Sequence, residues 1–391
     1  MNDKPVFDYP LFAMGFRAFF ALAGLSALAL IALWNAMSKG ALHIDNYYPA
    51  TVWHGHEMLL GYATAVIAGF LLTAVRNWTG VQTVTPDQLA SLSFLWIYGR
   101  VTPFYSELLP DVLIAMIDVA FLPALAYFVS KPMLKTGQLK NQIFTLLLLA
   151  MALANALLHA EILGVSESGA MAGLNLVLAI IVMMILVIAG RVFPFFTERG
   201  LSGVICIRNP GLDVAAIVVS LAVFLGLAFD ISAALLTTVA VAAVVLNVMR
   251  VSGWYNPRIW YVPLLWVLYV GYGWLILGFV LVALAAYALI PLALALHAFT
   301  VGGIGILTLG MMARVALGHT GRALKASNMM ALAFVLINLA ALFRVLFPAL
   351  LPAWYSGFVM VSTYSWLAAF SLFALSYASI LTQPRIDGEA G

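Results

Sequence analysis

The sequence predicts an all-α, polytopic transmembrane bundle of about twelve helices. Hydrophobic residues make up 65% of the 391 and charged residues only 8%, against about 25% charged in a soluble domain. Apolar runs of about 20 residues, enough to cross a bilayer, recur from end to end. No polar stretch between them is long enough for a soluble domain, so residues 1–391 read as a single integral membrane domain.

In order, the expected spans are 12–37, 52–75, 88–109, 111–130, 142–163, 169–194, 211–229, 231–249, 260–282, 285–313, 327–350 and 354–381. The first follows a polar start, MNDKPVFDYP, and is too long for the apolar core of a signal, so no cleavable signal peptide is expected. The third and fourth are divided only at Pro110, and the seventh and eighth only around Asp230. The ninth opens on WYNPRIWYVPLLWVLYVGYGW, aromatic residues at a membrane interface with no chemistry assigned to them.

Lysine and arginine set the orientation. With the N-terminus inside, the inner segments hold Lys4, Arg76, Lys131, Lys135, Lys140, Arg199, Arg208, Arg250, Arg258, Arg322, Lys325 and Arg385, while the outer loops hold only Lys39. Both termini are therefore expected in the cytoplasm. The net charge of +3 carries no message about partners, and the single cysteine, Cys206, excludes an internal disulfide. GRVTPFYSE (99–107) echoes GRVFPFFTE (190–198), and a weaker copy, FRVLFP, lies at 343–348. The first two copies close helices of opposite direction, which suggests an inverted repeat. The match is also short enough to arise by chance in an aromatic-rich membrane sequence.

The chemistry concentrates on histidine. His54 and His56, in WHGHEM, open the second span; His159, followed by Glu161, closes the fifth; His297 lies in the outer half of the tenth. Four imidazoles from three helices thus share one depth near the outer face. Ionisable groups within spans point to function, and imidazole is the commonest metal ligand, suited to iron, copper and zinc. Residues two apart on a regular helix do not face each other. So either Gly55 bends the helix entrance, or His54 and His56 serve different roles. His43 is in an outer loop. His319, in GHTGR, lies roughly 30 Å along the helix from His297, on the inner face, where Gly318 and Gly321 suggest a tight loop able to hold an anion.

Arg100 and Arg344 are the unusual arginines, both on the outer side. Each could clamp a carboxylate, either a cofactor's or that of Glu107, Asp111 or Asp118. Beyond His297, Gly302, Gly303, Gly305 and Gly310 thin the helix, allowing close helix approach or room for a flat macrocycle. Met311 and Met312 read as packing.

Over most of its length the chain resembles the NnrS family, polytopic haem- and copper-containing proteins of bacterial membranes associated with nitric oxide. The resembling stretches are WHGHEMLLGYATAVIAGFLLTAV with NWTG, GRVFPFFTERG, WYNPRIWY and HAFTVGGIGILTLGMMARVALGHTGR. The resemblance implies twelve spans, bound haem b, copper as a further cofactor, and a role in tolerating nitric oxide and related stress. It assigns no ligands.

From the residues themselves, His56 and His297 are the candidates for haem iron, with His54 and His159 for copper or a second axial position. Arg100 and Arg344 are candidates for the propionates. Glu57 and Glu161 would orient ligands or pass protons. The resemblance implies a setting in the bacterial inner membrane and nitric oxide as a small-molecule partner; the lipid bilayer is the other expected partner, and no nucleic acid is expected. A nitric oxide-reducing oxidoreductase and a non-catalytic sensor or scaffold are both compatible with these residues. Turnover would need a separate electron donor, because the chain has no CxxCH site and no cysteine cluster. The competing expectation is a multi-spanning transporter or a carrier of haem or metal.

Overall fold

A computed structural model describes residues 6–389 of the chain, and among these it is helical without strands. Twelve principal helices follow one another: α1 Gly15–Ser38, α2 Ala50–Thr79, α3 Pro86–Val101, α4 Asp111–Lys135, α5 Leu139–Ile162, α6 Ala170–Gly200, α7 Pro210–Ala228, α8 Ala233–Ser252, α9 Pro263–Ala285, α10 Leu292–His319, α11 Asn328–Leu350 and α12 Pro352–Thr382. Eleven are long and apolar enough to cross a membrane, which makes this a multi-pass membrane protein.

The exception is α3. A span was expected over 88–109, but the regular helix has 16 residues, about 24 Å, and stops at Val101. Pro103 cannot donate to a continuing α-helix, so the chain tightens into a 3-10 turn over Thr102–Tyr105. The other uncertain division stands where expected: α7 ends at Ala228, Asp230 takes a positive φ of 49°, and α8 starts at Ala233.

Local signals explain the boundaries. Gly80 ends α2 with φ +68° and donates its N–H to Arg76 O, a left-handed cap that favours glycine. Thr85 and Gln88 form a capping box at α3, with Pro86 in its first turn. The echoed GRV segments take different structures. Residues 99–107 leave α3 for the 3-10 turn, whereas 190–198 stay within continuous α6.

The helices gather into two compact units. One comprises the residues up to Ile180 together with Arg314–Ala323 and those from Ala374 on; the other comprises Ile181–Ala313 and Leu324–Phe373. Water does not drive helices together inside lipid, so close packing and buried polar contacts must hold them. In the first unit α1 and α2 meet at glycines: a Cβ on Gly69 would lie 2.8 Å from the Phe20 ring. Arg17, fully buried, donates through Nη1 to the carbonyls of Leu381 (3.0 Å) and Gln383 (2.7 Å) at the end of α12. In the second unit α9 and α10 interlock, Gly278 receiving Phe299 and Gly310 receiving Val267. Its buried Arg250 is balanced by Asp213 at 2.5 Å and the Tyr272 hydroxyl at 3.1 Å.

Candidate metal centre

The first unit holds a buried polar cluster at the end of α2 where the WHGHEM segment lies. The helix is regular from Ala50 to His56, then widens into a π-helical stretch over Glu57–Ala63. Such a widening disturbs the usual i→i−4 bonding and often marks a functional position. Here the Gly61 carbonyl accepts from the Trp96 indole at 3.2 Å and the Thr64 hydroxyl at 3.1 Å. Gly61 must also lack a side chain: a Cβ there would lie 3.0 Å from Glu57 Oε2 and 3.2 Å from Arg100 Nη1.

His56 from α2, Asp118 from α4 and His159 from α5 converge on one point. His56 Nε2 and His159 Nε2 each lie 3.0 Å from the same oxygen, Asp118 Oδ2. One ligand atom from each of the three residues lies within 4.8 Å of the others. His56 is 0% exposed, His159 2% and Asp118 3%.

The outer nitrogens are held as well. His56 Nδ1 lies 3.1 Å from Glu57 Oε1, and His159 Nδ1 lies 3.0 Å from the Tyr47 hydroxyl. With protons on both Nδ1 atoms, both Nε2 lone pairs face the shared carboxylate. This is the arrangement by which outer partners orient metal-binding imidazoles. Asn155 Nδ2 donates to Asp118 Oδ2 at 2.6 Å. The Tyr48 hydroxyl is 3.2 Å from His56 Nε2 and 3.5 Å from His159 Nε2. Burial pushes the Tyr48 phenol well above its ordinary pKa and raises that of Tyr47 too, so both keep their protons.

Charge balance favours a cation. Arg100 is ion-paired with Glu57 at 3.1 Å and also with Asp118. Gly99 allows this close approach, since a Cβ there would lie 3.1 Å from Asp118 Oδ1. Two carboxylates face one guanidinium, leaving one buried negative charge in excess while the imidazoles are neutral. Burying an unbalanced ion costs several kcal/mol. Two further acceptors of the cluster, Glu57 Oε2 and Asn155 Oδ1, are buried with no hydrogen-bond partner. Two imidazoles and a carboxylate suit one copper, zinc or iron ion. They do not suit a haem held between the two rings. Asp118 Oδ2 and the Tyr48 hydroxyl already occupy the space that a macrocycle would need.

The remaining expected residues take other places. His54 turns away from His56 and stacks on Trp34, with ring centroids 4.4 Å apart. Gly55 does not bend the helix; it admits Leu174, whose Cδ1 would lie 2.9 Å from a Cβ there. Glu161 caps α6, accepting from the Gly169 and Ala170 N–H groups at 2.6 and 2.7 Å. Arg100 meets the chain's own carboxylates, one of them the expected Asp118.

His319 packs on Phe16, and its loop is met by the C-terminal segment. Arg385 donates to His319 O at 3.1 Å, and the Asp387 carboxylate lies where a side chain on Gly321 would point. His297 and Arg344 belong to the second unit. His297 Nδ1 donates to Ala293 O at 2.6 Å, and Arg344 lies over the Tyr355 ring at 5.7 Å. The glycines after His297 are filled: Trp274 packs on Gly302, Leu275 on Gly303 and Trp366 on Gly305. They serve side-chain packing rather than leaving a slot for a macrocycle.

Sequence reasoning passed over four members of the cluster. Asp118 was seen only as a partner for Arg100, although a lone carboxylate inside an apolar span is itself a functional signal. Asn155 stands one helical turn before His159, on the same face. Tyr47 and Tyr48 lie in a loop, where no periodicity marks them.

The family described as NnrS protein matches the chain over residues 10–385. No curated protein matches it.

Proposed function

The chain belongs to the NnrS family, and we propose that it is a bacterial inner-membrane protein that binds nitric oxide at a metal ion held by His56, His159 and Asp118. Family membership ties the protein to nitric oxide. The observation that carries the proposal is the convergence of two buried imidazole Nε2 atoms on one carboxylate oxygen, at 3.0 Å each. Copper is the proposed ion, and haem b the second cofactor, carried away from this cluster.

When bound, such an ion supplies an open coordination position for a small neutral ligand. The protein's part follows from its residues. Glu57 and Tyr47 hold the imidazoles in the ligating tautomer. Asn155 fixes Asp118. Arg100 offsets one of the two carboxylate charges, so the site as a whole favours a cation. Tyr48 brings a hydroxyl proton to the space between the two histidines, and its retained proton suits it to donate toward a bound ligand. The site's position near the outer ends of α2 and α5 suits a neutral gas arriving from the outer side or through lipid. Electrons for any turnover would come from a separate partner.

The test is metal analysis of the purified protein, followed by its optical and paramagnetic spectra with and without nitric oxide. One copper per chain and a nitric oxide-dependent spectral change are expected. Copper that exchanges freely and crosses a liposome membrane with the protein, with no nitric oxide response, would instead favour a metal carrier.

A further inference from the structure

In the second unit, α11 ends in a widened turn. It is regular over Asn328–Ala341, becomes π-helical over Leu342–Leu346 and closes as α-helix at Phe347–Leu350. The cause is local. Pro348 has no N–H to give the Arg344 carbonyl, four residues back. The Phe347 N–H bonds instead to Leu342 O, five residues back. The turn so widened carries Arg344, about 9 Å along the axis from the helix end at Leu350.

Arg344 is a cation whose counter-charge the chain does not supply. No carboxylate pairs with it among the described residues, and its Nη1 is buried with no hydrogen-bond partner. The guanidinium lies over the Tyr355 ring at 5.7 Å, but an aromatic face offsets only part of a full charge. The sequence accounts for the gap: from Ile231 to Ile386 it contains no aspartate or glutamate. Other arginines of the spans are matched, Arg100 by Glu57 and Asp118, and Arg250 by Asp213. An ion within a span is costly unless it is paired. The anion that suits Arg344 therefore has to come from outside the chain.

The surroundings select the kind of anion. Phe343 and Phe347 of α11 and Phe358 of α12 form one cluster, with ring centroids 4.6, 5.6 and 5.9 Å apart. All three residues are half-buried, so ring surface is left for a neighbour. Trp354 and Tyr355 stand exposed where α11 turns into α12, and Trp and Tyr favour the level of the lipid headgroups. Arginine can lay its stem along apolar surface and bring its head to that level. A cation below an aromatic rim, beside a half-open apolar face, complements a phospholipid: phosphate at the rim, acyl chain on the rings. A free inorganic anion would make no use of the phenylalanine face. The acid-free stretch also offers nothing to the ammonium of a zwitterionic headgroup, so a lipid of net negative charge is the match.

We propose that Arg344 holds the phosphate of an anionic phospholipid in the leaflet bordering this end of α11, with an acyl chain lying on Phe343, Phe347 and Phe358. Charge-assisted bonds from a guanidinium to phosphate are among the stronger polar contacts.

The test uses full-length protein in mild detergent, stripped of copurified lipid and titrated with short-chain phosphatidylglycerol or phosphatidylcholine. Native mass spectrometry counts the bound lipid. Wild type should bind one phosphatidylglycerol roughly tenfold tighter than phosphatidylcholine, and inorganic phosphate should not displace it. Arg344→Gln should lose that preference, and Arg344→Lys should keep most of it, which separates charge from folding. Lys325→Gln, at the opposite end of α11, should leave the preference unchanged. Equal binding of the two lipids by wild type, or an undiminished preference in Arg344→Gln, would overturn the proposal. Displacement of the lipid by inorganic phosphate would overturn it too, in favour of a free-anion site.

Discussion

His56 and His159 reach the same oxygen of Asp118 from two different helices, with their rings 6.1 Å apart and inclined at 76°. Neither ring can be removed without leaving the other facing a carboxylate alone. His56→Ala, His159→Ala and Asp118→Asn should each reduce bound copper from about one per chain to near zero. His54→Ala should retain it, because His54 is stacked on Trp34. Elemental analysis of the four variants checks this; loss of copper in His54→Ala alone would reverse the assignment.

Glu57 and Tyr47 hold the outer nitrogens without reaching the metal position. Glu57→Gln and Tyr47→Phe should therefore weaken copper binding by about 10- to 100-fold while the stoichiometry at saturation stays the same. Competition against a copper chelator measures the change. Gly61→Ala should act in the same direction, because its Cβ would press on both Glu57 and Arg100.

Removing Arg100 strands two buried carboxylates. Arg100→Gln should destabilise the metal-free protein by about 3–5 kcal/mol, and copper should recover part of that loss by supplying positive charge. Thermal unfolding with and without copper tests both halves. An equal loss in the two conditions would show that the charge balance drawn around Glu57, Asp118 and Arg100 is wrong.

The buried Tyr48 gives a pH signature. Its folded pKa lies above the unfolded value of about 10. Its contribution to stability is therefore complete below pH of about 10 and is lost as pH rises above it. Tyr48→Phe keeps the ring stacked on His56, 4.4 Å away in the native protein, and removes the titrating group. Its unfolding midpoint should fall less steeply between pH 9 and pH of about 11. Parallel curves would show that the phenol is not protected.

Much of this was legible in the residues. Span lengths and turn residues located eleven of the helices, because twenty apolar residues admit few readings. His56, His159 and Glu57 stood out because ionisable groups are rare in such runs. The rest needed three dimensions. No spacing rule shows that Asp118 on α4 lies opposite His56 on α2, since that depends on the small surface of Gly99 and on the widened turn after His56. A π-helical turn has no sequence signature comparable to a cap, so neither the widened stretch after His56 nor the one after His297 could be read from the residues. Glu161 and the glycines after His297 were misleading for a common reason. Capping carboxylates and packing glycines use the same residue types as ligand sites.

The most direct measurement is the paramagnetic spectrum of the copper(II) form of wild type and of the His56→Ala/His159→Ala double variant, each before and after nitric oxide. Wild type should show hyperfine coupling to two imidazole nitrogens and should change on adding nitric oxide; the double variant should show neither. A double variant with full copper, unchanged nitrogen coupling and the same nitric oxide response would contradict a metal centre at His56, Asp118 and His159.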